Sequence, residues 1–282
     1  MFARVPASSA NLGPGFDALA VALNLYVEVT VEEADNFEIS SEGFGAGQFD
    51  DRNHLAAKIV NAYLGHWNFK IHVRSGIPLS RGLGSSAALA AAAGAAAGSP
   101  NPLSIATEVD GHAENAAASV FGGLVVASIT PEPRIITRQL PLDPEWRFVC
   151  VVPDEELATA DARRVLPTSV PFEDAVHNLN AMGLLIAGLA DHEQFVPSAM
   201  DDYLHQPYRM GLIPYASDLL STLREAGAAG SCWSGAGSTM LGLVTRNSEA
   251  AVQKAAEDFL YARGVGGVVH VLEADRDGLV TR

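Results

Sequence analysis

The sequence predicts an α+β fold made of two domains. Strand-like and helix-like segments follow one another without the regular strand–helix–strand rhythm of a doubly wound sheet. The chain has 282 residues, enough for one large domain or two modest ones. Pro141 and Pro144 interrupt the pattern near its middle. We therefore place the domain boundary close to residue 145, which gives domains 1–145 and 146–282.

Composition excludes several classes of protein. The 18 Lys and Arg against 33 Asp and Glu give a net charge of −15, which disfavours nucleic acids and anionic membranes as partners. With 48% hydrophobic and 18% charged residues, the chain is not of the disordered type. Its two cysteines exclude a disulfide framework and a four-cysteine zinc site. The longest small-apolar run, 87–98, is too short to span a bilayer, and no apolar signal region opens the sequence, so we expect a soluble, cytoplasmic protein.

Hydrophobic periodicity predicts the elements of the N-terminal half. Alternating or short apolar runs predict strands at 21–33, 69–74, 124–129 and 135–140. Helical spacing predicts helices at 55–64 and 103–110. Nine alanines within 87–97 predict a further helix, because alanine is the best helix former and its small side chain allows close packing on every side.

The C-terminal half follows the same rules. Apolar runs predict strands at 146–152, at the end of 230–244 and at 267–272. Helical spacing predicts helices at 172–189, 217–225 and 250–262. Because these elements again lack a regular alternation, they agree with the α+β class.

A Gly/Ser loop, 82–86, leads directly into the alanine-rich helix. A helix N-terminus carries unpaired N–H groups and a positive dipole end, which together favour an anion. Gly82 and Gly84 would let the backbone approach a ligand closely. An ordinary capped helix explains such a loop equally well. It is not a Walker A loop, because none of the chain's three lysines is near it.

Two further glycine-rich segments flank this loop in the sequence, at 6–17 and at 231–240. Each alone could be a turn. With the central loop they resemble the GHMP small-molecule kinases: 6–17 is similar to that family's substrate motif, 78–88 to its phosphate loop and 234–239 to its C-terminal glycine motif. Segments 111–115, 159–163 and 206–209 are similar to those of the members that phosphorylate L-homoserine.

This resemblance covers residues 4 to about 245 and implies the fold and the reaction. The fold would be that of the GHMP kinases, with an N-terminal domain like domain 2 of ribosomal protein S5 and a ferredoxin-like C-terminal domain. The reaction would be ATP-dependent phosphorylation of the side-chain hydroxyl of L-homoserine, a step of threonine biosynthesis. The resemblance also implies a homodimer.

On the nucleotide side, the resemblance implies that the loop wraps the ATP phosphates, with these residues: Pro78, Leu79, Ser80, Arg81, Gly82, Leu83, Gly84, Ser85 and Ser86. Asn53 matches a position near the adenine, although a helix N-cap before Leu55 explains it equally well. Ser86 would help to bind Mg²⁺. The second metal ligand would be Glu108 or Asp110, because the family's glutamate is replaced by Asp110 here.

On the acceptor side, the resemblance implies that Arg163 and Arg209 bind the carboxylate of L-homoserine, with Thr159 beside them. A planar guanidinium suits a carboxylate because it can form two parallel hydrogen bonds. The other substrate-binding residues implied are Asn11 and Asp17 for the ammonium group, and His112 and Gly235 as pocket lining.

Asn115 stands where some members of the family have an aspartate that could act as a base. An amide is not a base at neutral pH, so we expect Asn115 to orient the acceptor hydroxyl and Ser86 to assist phosphoryl transfer. The proton would then pass to the phosphate or to water. Ala113, Glu114 and Ser238 depart from the family's pattern and could reshape the pocket.

Two alternatives stay open at this point. A related kinase acting on another small alcohol, such as a mevalonate-like carboxylate, would also use paired arginines. A nucleotide-binding regulator that has lost catalysis would be consistent with Asp110 in place of the family's glutamate.

Overall fold

The computed structural model describes residues 1–132 and 134–282, whose strands form a seven-stranded and a four-stranded sheet. The seven strands of the first sheet are β1 (Phe2–Asn11), β2 (Gly15–Glu33), β3 (Glu38–Gly43), β4 (Phe69–Ser75), β5 (Leu124–Ile129), β6 (Ile135–Leu140) and β11 (Val280–Thr281). Their order is β11-β1-β2-β4-β3, with β5 and β6 branching from β2. Strand β2 spans 19 residues and is long enough to pair with two strands on the same edge. Its residues 27–33 pair with β4, and its residues 19–21 pair with β5.

Helices α2 (Ser85–Ala96) and α4 (Ala113–Phe121) pack on this sheet, while α1 (Leu55–Leu64) and α3 (Pro102–Asp110) pack against α2. Helix α2 contacts β1 and β2 on one side and the other three helices around it. Almost all its alanines are fully buried, as the sequence predicts for a helix packed on every side. The N-terminus of α2 is thereby fixed against the end of β1.

The second sheet contains β7 (Trp146–Pro153), β8 (Gly230–Trp233), β9 (Met240–Thr245) and β10 (Gly267–Leu272), in the antiparallel order β10-β7-β9-β8. Helices α8 (Ala216–Glu225) and α9 (Glu249–Arg263) pack on one face. Every residue of β7 is buried because its two faces enter different cores. Val149 and Val151 pack with α8 and α9, whereas Phe148 and Cys150 join the large core of the first sheet.

The long connection between β7 and β8 of the second sheet contains α5 (Thr159–Arg164), α6 (Phe172–Ala190) and α7 (Gln206–Arg209). Helix α6 contacts the turn between β1 and β2 of the first sheet, because the buried Asn178 donates from Nδ2 to the Pro14 carbonyl at 2.8 Å. This arrangement places α5 and α7 beside the turn between β1 and β2.

The α+β class predicted from the sequence is confirmed, and strands and helices occur where the periodicity predicts them. Strand β1 was missed, because its small, polar residues have buried neighbours on both faces and show no alternation. The domain boundary near residue 145 stays a prediction. The second sheet uses residues 146–272, and β11 then returns to pair with β1. Within the described ranges, no helix is both long and apolar enough to cross a bilayer.

Candidate active site

A cleft between the two sheets brings the three glycine-rich segments together. The Gly235 N–H donates to the Ala10 carbonyl at 3.0 Å, which joins the third segment to the first. The Ser234 hydroxyl donates to the Gly82 carbonyl at 2.6 Å, which joins the third to the central loop. Segments that are far apart in the sequence therefore form one continuous wall.

The central loop has the backbone needed for a close approach to a ligand. Gly82 and Gly84 have φ values of 76° and 64°, and a Cβ on Gly84 would lie 2.1 Å from the Ser8 hydroxyl. Gly84 precedes α2, and no side chain of the described residues caps that helix end. The first turn of α2, with Ser85 and Ser86, lines the cleft. Its backbone N–H groups and helix dipole can therefore serve an anion.

A second pocket lies on the other side of the same loop. Its walls include the aromatic rings of Phe44 and Phe49 and the side chains of His54 and Leu55, and it shares Ser85 and Ser86 with the cleft. One ligand could therefore place a flat apolar group in this pocket and an anionic group in the cleft, on the two sides of the N-terminus of α2.

Asn53 lies outside the residues that line either pocket. It is exposed, and its backbone N–H donates to Asp51 at 2.6 Å. The N-cap of α1 is His54, whose Nδ1 accepts from the Ala56 N–H at 3.1 Å. The alternative interpretation of Asn53 as the N-cap is therefore wrong, because the helix begins one residue later than that capping requires.

The remaining residues of the loop hold it in place. Leu83 is buried and its carbonyl accepts from the Ser8 N–H at 3.2 Å. The Arg81 guanidinium donates to the carbonyls of Leu79 and Pro153 at 2.7 and 3.0 Å, and pairs with Glu156 at 3.0 Å. Arg81 thereby ties the loop to the segment that leads into α5. Pro78 is buried, whereas Leu79 and Ser80 line the pockets on the two sides.

Two guanidinium groups lie at the far end of the cleft. Arg163 on α5 and Arg209 on α7 each have their Cζ 5.4 Å from the centre of the Phe16 ring. Asp17 pairs with Arg163, its Oδ1 lying 2.6 Å from Nη2. Burial lowers the pKa of Arg209 to about 10, so this guanidinium stays charged at neutral pH.

Asn11 connects this end of the cleft to the third glycine segment. Its Nδ2 donates to the Gly235 carbonyl at 2.9 Å, and its Oδ1 accepts from the Asp17 N–H at 3.1 Å. Both Asn11 and Asp17 have positive φ values, 74° and 54°, which turn their side chains out of the regular strands. Thr159 and His112 complete this part of the lining.

Acidic groups lie between the loop and the guanidinium end. Burial raises the pKa of Asp110 above its ordinary range, and the amide of Asn115 lies 3.4 Å from its Oδ2. Burial also raises the pKa of Glu114 to about 7, and this side chain is only 3% exposed. Of the two predicted metal ligands, Asp110 lines the cleft, whereas Glu108 faces a separate apolar groove on α3.

Ser86 and Asp110 fit a magnesium ion by their chemistry. Mg²⁺ binds oxygen ligands and commonly uses one or two carboxylates together with phosphate and water. A hydroxyl and a partly buried carboxylate share the cleft here, and the raised pKa of Asp110 shows a carboxylate that a nearby cation would stabilise.

Most of the predicted site residues therefore lie together, and the structure adds others. The further residues that line the cleft or support it are Ala10, Phe16, Glu114, Leu157, Ala158, His205 and Ala236. Glu114 had a signal in the sequence, since it directly precedes Asn115. Phe16 also lies within a segment already singled out. Nothing local marks Leu157 or Ala158.

Comparison with known proteins agrees with this geometry. Residues 53–123 match the model of the GHMP kinases N terminal domain, and residues 177–262 match that of the GHMP kinases C terminal domain. A homoserine kinase of Desulfitobacterium hafniense is 37% identical, with 98% of this chain and 97% of that protein covered. One of Mycolicibacterium smegmatis is 39% identical, with 85% and 83% covered. The crystal structure of homoserine kinase from Cytophaga hutchinsonii superposes with a TM-score of 0.86 at 27% identity, over 99% and 96% of the two chains.

Proposed function

The chain belongs to the GHMP kinase family, and we propose that it transfers the terminal phosphoryl group of ATP to the side-chain hydroxyl of L-homoserine. The product, O-phospho-L-homoserine, belongs to threonine biosynthesis. The likeness to homoserine kinases over nearly the whole chain supports this reaction. The observation that carries it is the far end of the cleft, where two guanidinium groups and a carboxylate lie together, as a small zwitterion would require.

ATP would lie across the N-terminus of α2. Its phosphates would accept hydrogen bonds from the loop that contains Gly82 and Gly84, in the cleft. Its base would enter the pocket of Phe44 and Phe49 on the other side of Ser85 and Ser86. This direction brings the terminal phosphate toward Asn115 and the guanidinium end.

Ser86 and Asp110 would hold Mg²⁺, with Asp110 favoured over Glu108 because only Asp110 lines the cleft. When bound, the ion neutralises charge on the phosphates during transfer. Replacing Asp110 by Asn should raise the Mg²⁺ concentration needed for half-maximal rate, whereas Glu108→Gln should leave it unchanged. The opposite order would assign the ligand to Glu108.

Asn115 would orient the acceptor without removing its proton. The Ser8 hydroxyl donates to its Oδ1 at 2.9 Å, and one N–H of its Nδ2 points to Asp110 Oδ2 at 3.4 Å. The second N–H of Nδ2 would donate to the hydroxyl oxygen of the acceptor. That oxygen bonds to the γ-phosphorus as the bond from phosphorus to the bridging oxygen breaks, and ADP leaves with the electron pair. The proton passes to the transferred phosphate or to water. Phosphoryl transfer depends chiefly on positioning and charge neutralisation, so a base is not required.

Asp17 distinguishes this reaction from the phosphorylation of a mevalonate-like acceptor. L-Homoserine carries an ammonium group that a carboxylate can bind, whereas mevalonate has only the carboxylate end. An ADP-release assay with L-homoserine, mevalonate and galactose tests the proposal directly. Turnover of L-homoserine alone is expected. ATP binding without turnover of any acceptor would instead support a non-catalytic regulator.

The same family resemblance supports a cytoplasmic homodimer. Light scattering on the purified protein should give twice the chain's mass, and a monomer mass would overturn the oligomeric part without affecting the reaction.

A further inference from the structure

His205 lies directly before α7 and is completely buried beneath the acceptor end of the cleft. Its Nε2 lies 2.8 Å from the Gly13 carbonyl and 3.2 Å from Asp202 Oδ2. Its Nδ1 lies 3.1 Å from Nη1 of Arg209, one turn further along the chain. The imidazole therefore connects the turn between β1 and β2 to an arginine of the acceptor pocket.

These contacts fix the proton of the ring. Nε2 faces two oxygen acceptors, so it carries the hydrogen, and Nδ1 keeps its lone pair to accept from Arg209. Burial lowers the pKa of His205, and the charge of Arg209 lowers it further against the opposing charge of Asp202, so the ring is neutral at physiological pH. A second ring proton would point at the guanidinium and remove the acceptor.

The contacts of Arg209 leave one of its nitrogens for a ligand. Nε donates to the Ala162 carbonyl at 3.2 Å, and Nη1 donates to the Gly235 carbonyl at 2.9 Å as well as to His205. A guanidinium has five N–H groups, and these three bonds use both of Nη1 and that of Nε. Within the described parts of the chain Nη2 has no acceptor, which leaves its two N–H groups for a molecule in the cleft.

Phe16 holds the same group from a third direction. Its ring stacks on His205, with centroids 4.9 Å apart and an angle of 24° between the planes. The same ring lies 5.4 Å from Cζ of Arg209. Rotation of the guanidinium would break its bond to His205 and its contact with the Phe16 ring, so its orientation depends on both residues.

We propose that His205 is a positioning residue for substrate recognition: its neutral ring orients Arg209 so that Nη2 binds the carboxylate of the acceptor. This inference rests on the proposed function, because it names how that acceptor's carboxylate is held. The sequence led us to expect that two nitrogens of a guanidinium bind the acceptor carboxylate. Under this proposal Arg209 binds the carboxylate through Nη2 alone.

Two near-isosteric variants separate the roles of the two ring nitrogens of His205. In His205→Asn the side-chain oxygen can occupy the place of Nδ1, which restores an acceptor for Arg209. In His205→Gln the amide nitrogen can occupy the place of Nε2, which keeps the bond to Gly13 but removes that acceptor. His66→Gln, at an exposed histidine outside the cleft, is the matched control. Thermal unfolding of each variant reports whether it is folded.

The steady-state constants of ATP-dependent L-homoserine phosphorylation test the proposal. We expect the KM for L-homoserine to rise at least about tenfold further in His205→Gln than in His205→Asn, as for loss of one hydrogen bond to a charged group. The KM for ATP should stay within about twofold. In an Arg209→Gln background, His205→Gln should lower kcat/KM for L-homoserine little further, because the two residues act as one unit.

Equal losses in the two variants, a parallel rise in the KM for ATP, or a full additional loss in the Arg209→Gln background would each overturn the proposal. Failure of the unmodified protein to phosphorylate L-homoserine is a separate result, and it would refute the proposed function itself.

Discussion

The Asp17 carboxylate and the Arg163 guanidinium form an ion pair, with Oδ1 2.6 Å from Nη2, across 146 residues of sequence. The two groups are proposed to bind opposite ends of the same zwitterion, and in this structure each is the partner of the other. Both side chains are about one-third exposed, at 36% and 34%, and the pair is open to solvent. An incoming L-homoserine can therefore exchange with it, because its ammonium and carboxylate replace the charges that each side chain loses.

Replacing Asp17 by Asn should weaken acceptor binding. The substitution removes the charge proposed to bind the ammonium group, and Arg163 loses its ion-pair partner. We expect the KM for L-homoserine to rise by about 10- to 100-fold, as for loss of a charged hydrogen bond, with little change in the KM for ATP. Asp161→Asn, which breaks the exposed pair with Arg164 at 2.8 Å, is the control and should have no effect. Tighter L-homoserine binding in Asp17→Asn would mean that the pair competes with substrate.

Replacing Asn115 by Asp tests whether the enzyme lacks a catalytic base. The new carboxylate would lie beside Asp110, whose Oδ2 is 3.4 Å from the Asn115 amide nitrogen, and it would lose the Nδ2 donor. We expect kcat to fall by at least about tenfold through the lost hydrogen bond and the added negative charge. The pH–rate profile checks the mechanism. A kcat well above that of the unmodified enzyme, with a new acidic pKa, would show that a base does accelerate the reaction.

Replacing Gly82 by Ala should disrupt the contact between the phosphate loop and the third glycine segment. At φ 76°, a Cβ would lie 2.1 Å from the backbone oxygen of Ser234, which cannot move aside alone. Gly65 has nearly the same φ, 77°, with no atom within 4 Å of such a Cβ, so Gly65→Ala isolates the backbone strain of about 1 kcal/mol. We expect kcat/KM for ATP to fall at least about 100-fold in Gly82→Ala only. Equal effects of the two changes would show that strain alone matters.

Replacing Glu114 by Gln should change how stability depends on pH. The folded protein raises the pKa of Glu114 from 4.5 to about 7, so it holds this proton more tightly than the unfolded chain does. The unmodified protein therefore loses stability as pH rises through this window, and the variant does not. We expect the free energy of unfolding of the variant, relative to that of the unmodified protein, to rise by at most about 3 kcal/mol between pH 4.5 and pH 8. Denaturant titrations across this range measure the difference, and a constant difference would contradict it.

The fold class followed from local pattern because periodicity and alanine content are local properties. Helix α1 begins and ends at the residues that the spacing predicts, Leu55 and Leu64. Strand β1 could not be predicted, because its small residues are buried by α2 and α4, which contact it only in the folded chain. The phosphate loop was recognisable because its glycines and serines are adjacent in the sequence.

The support for the candidate site depends on contacts that are distant in sequence. His205 binds the carbonyl of Gly13, and no pattern around either residue indicates the other. The burial of Glu114 follows from the packing of α4 against β1 and β2, so its altered pKa has no local signal. Arg81 lies in the predicted phosphate loop, yet only the folded chain shows that its guanidinium binds the Pro153 carbonyl.

The small alanine side chains of α2 allow the neighbouring elements to pack close to the helix axis. The helix packs against β1, β2 and the helices around it through these small side chains, and its first turn supplies the N–H groups proposed to bind phosphate. A larger side chain at one of the buried alanines would displace α2 as a rigid body, because a close-packed interior does not absorb added volume. Substitutions at these alanines would therefore reduce nucleotide affinity as well as stability, although the alanines themselves do not contact the proposed ligand.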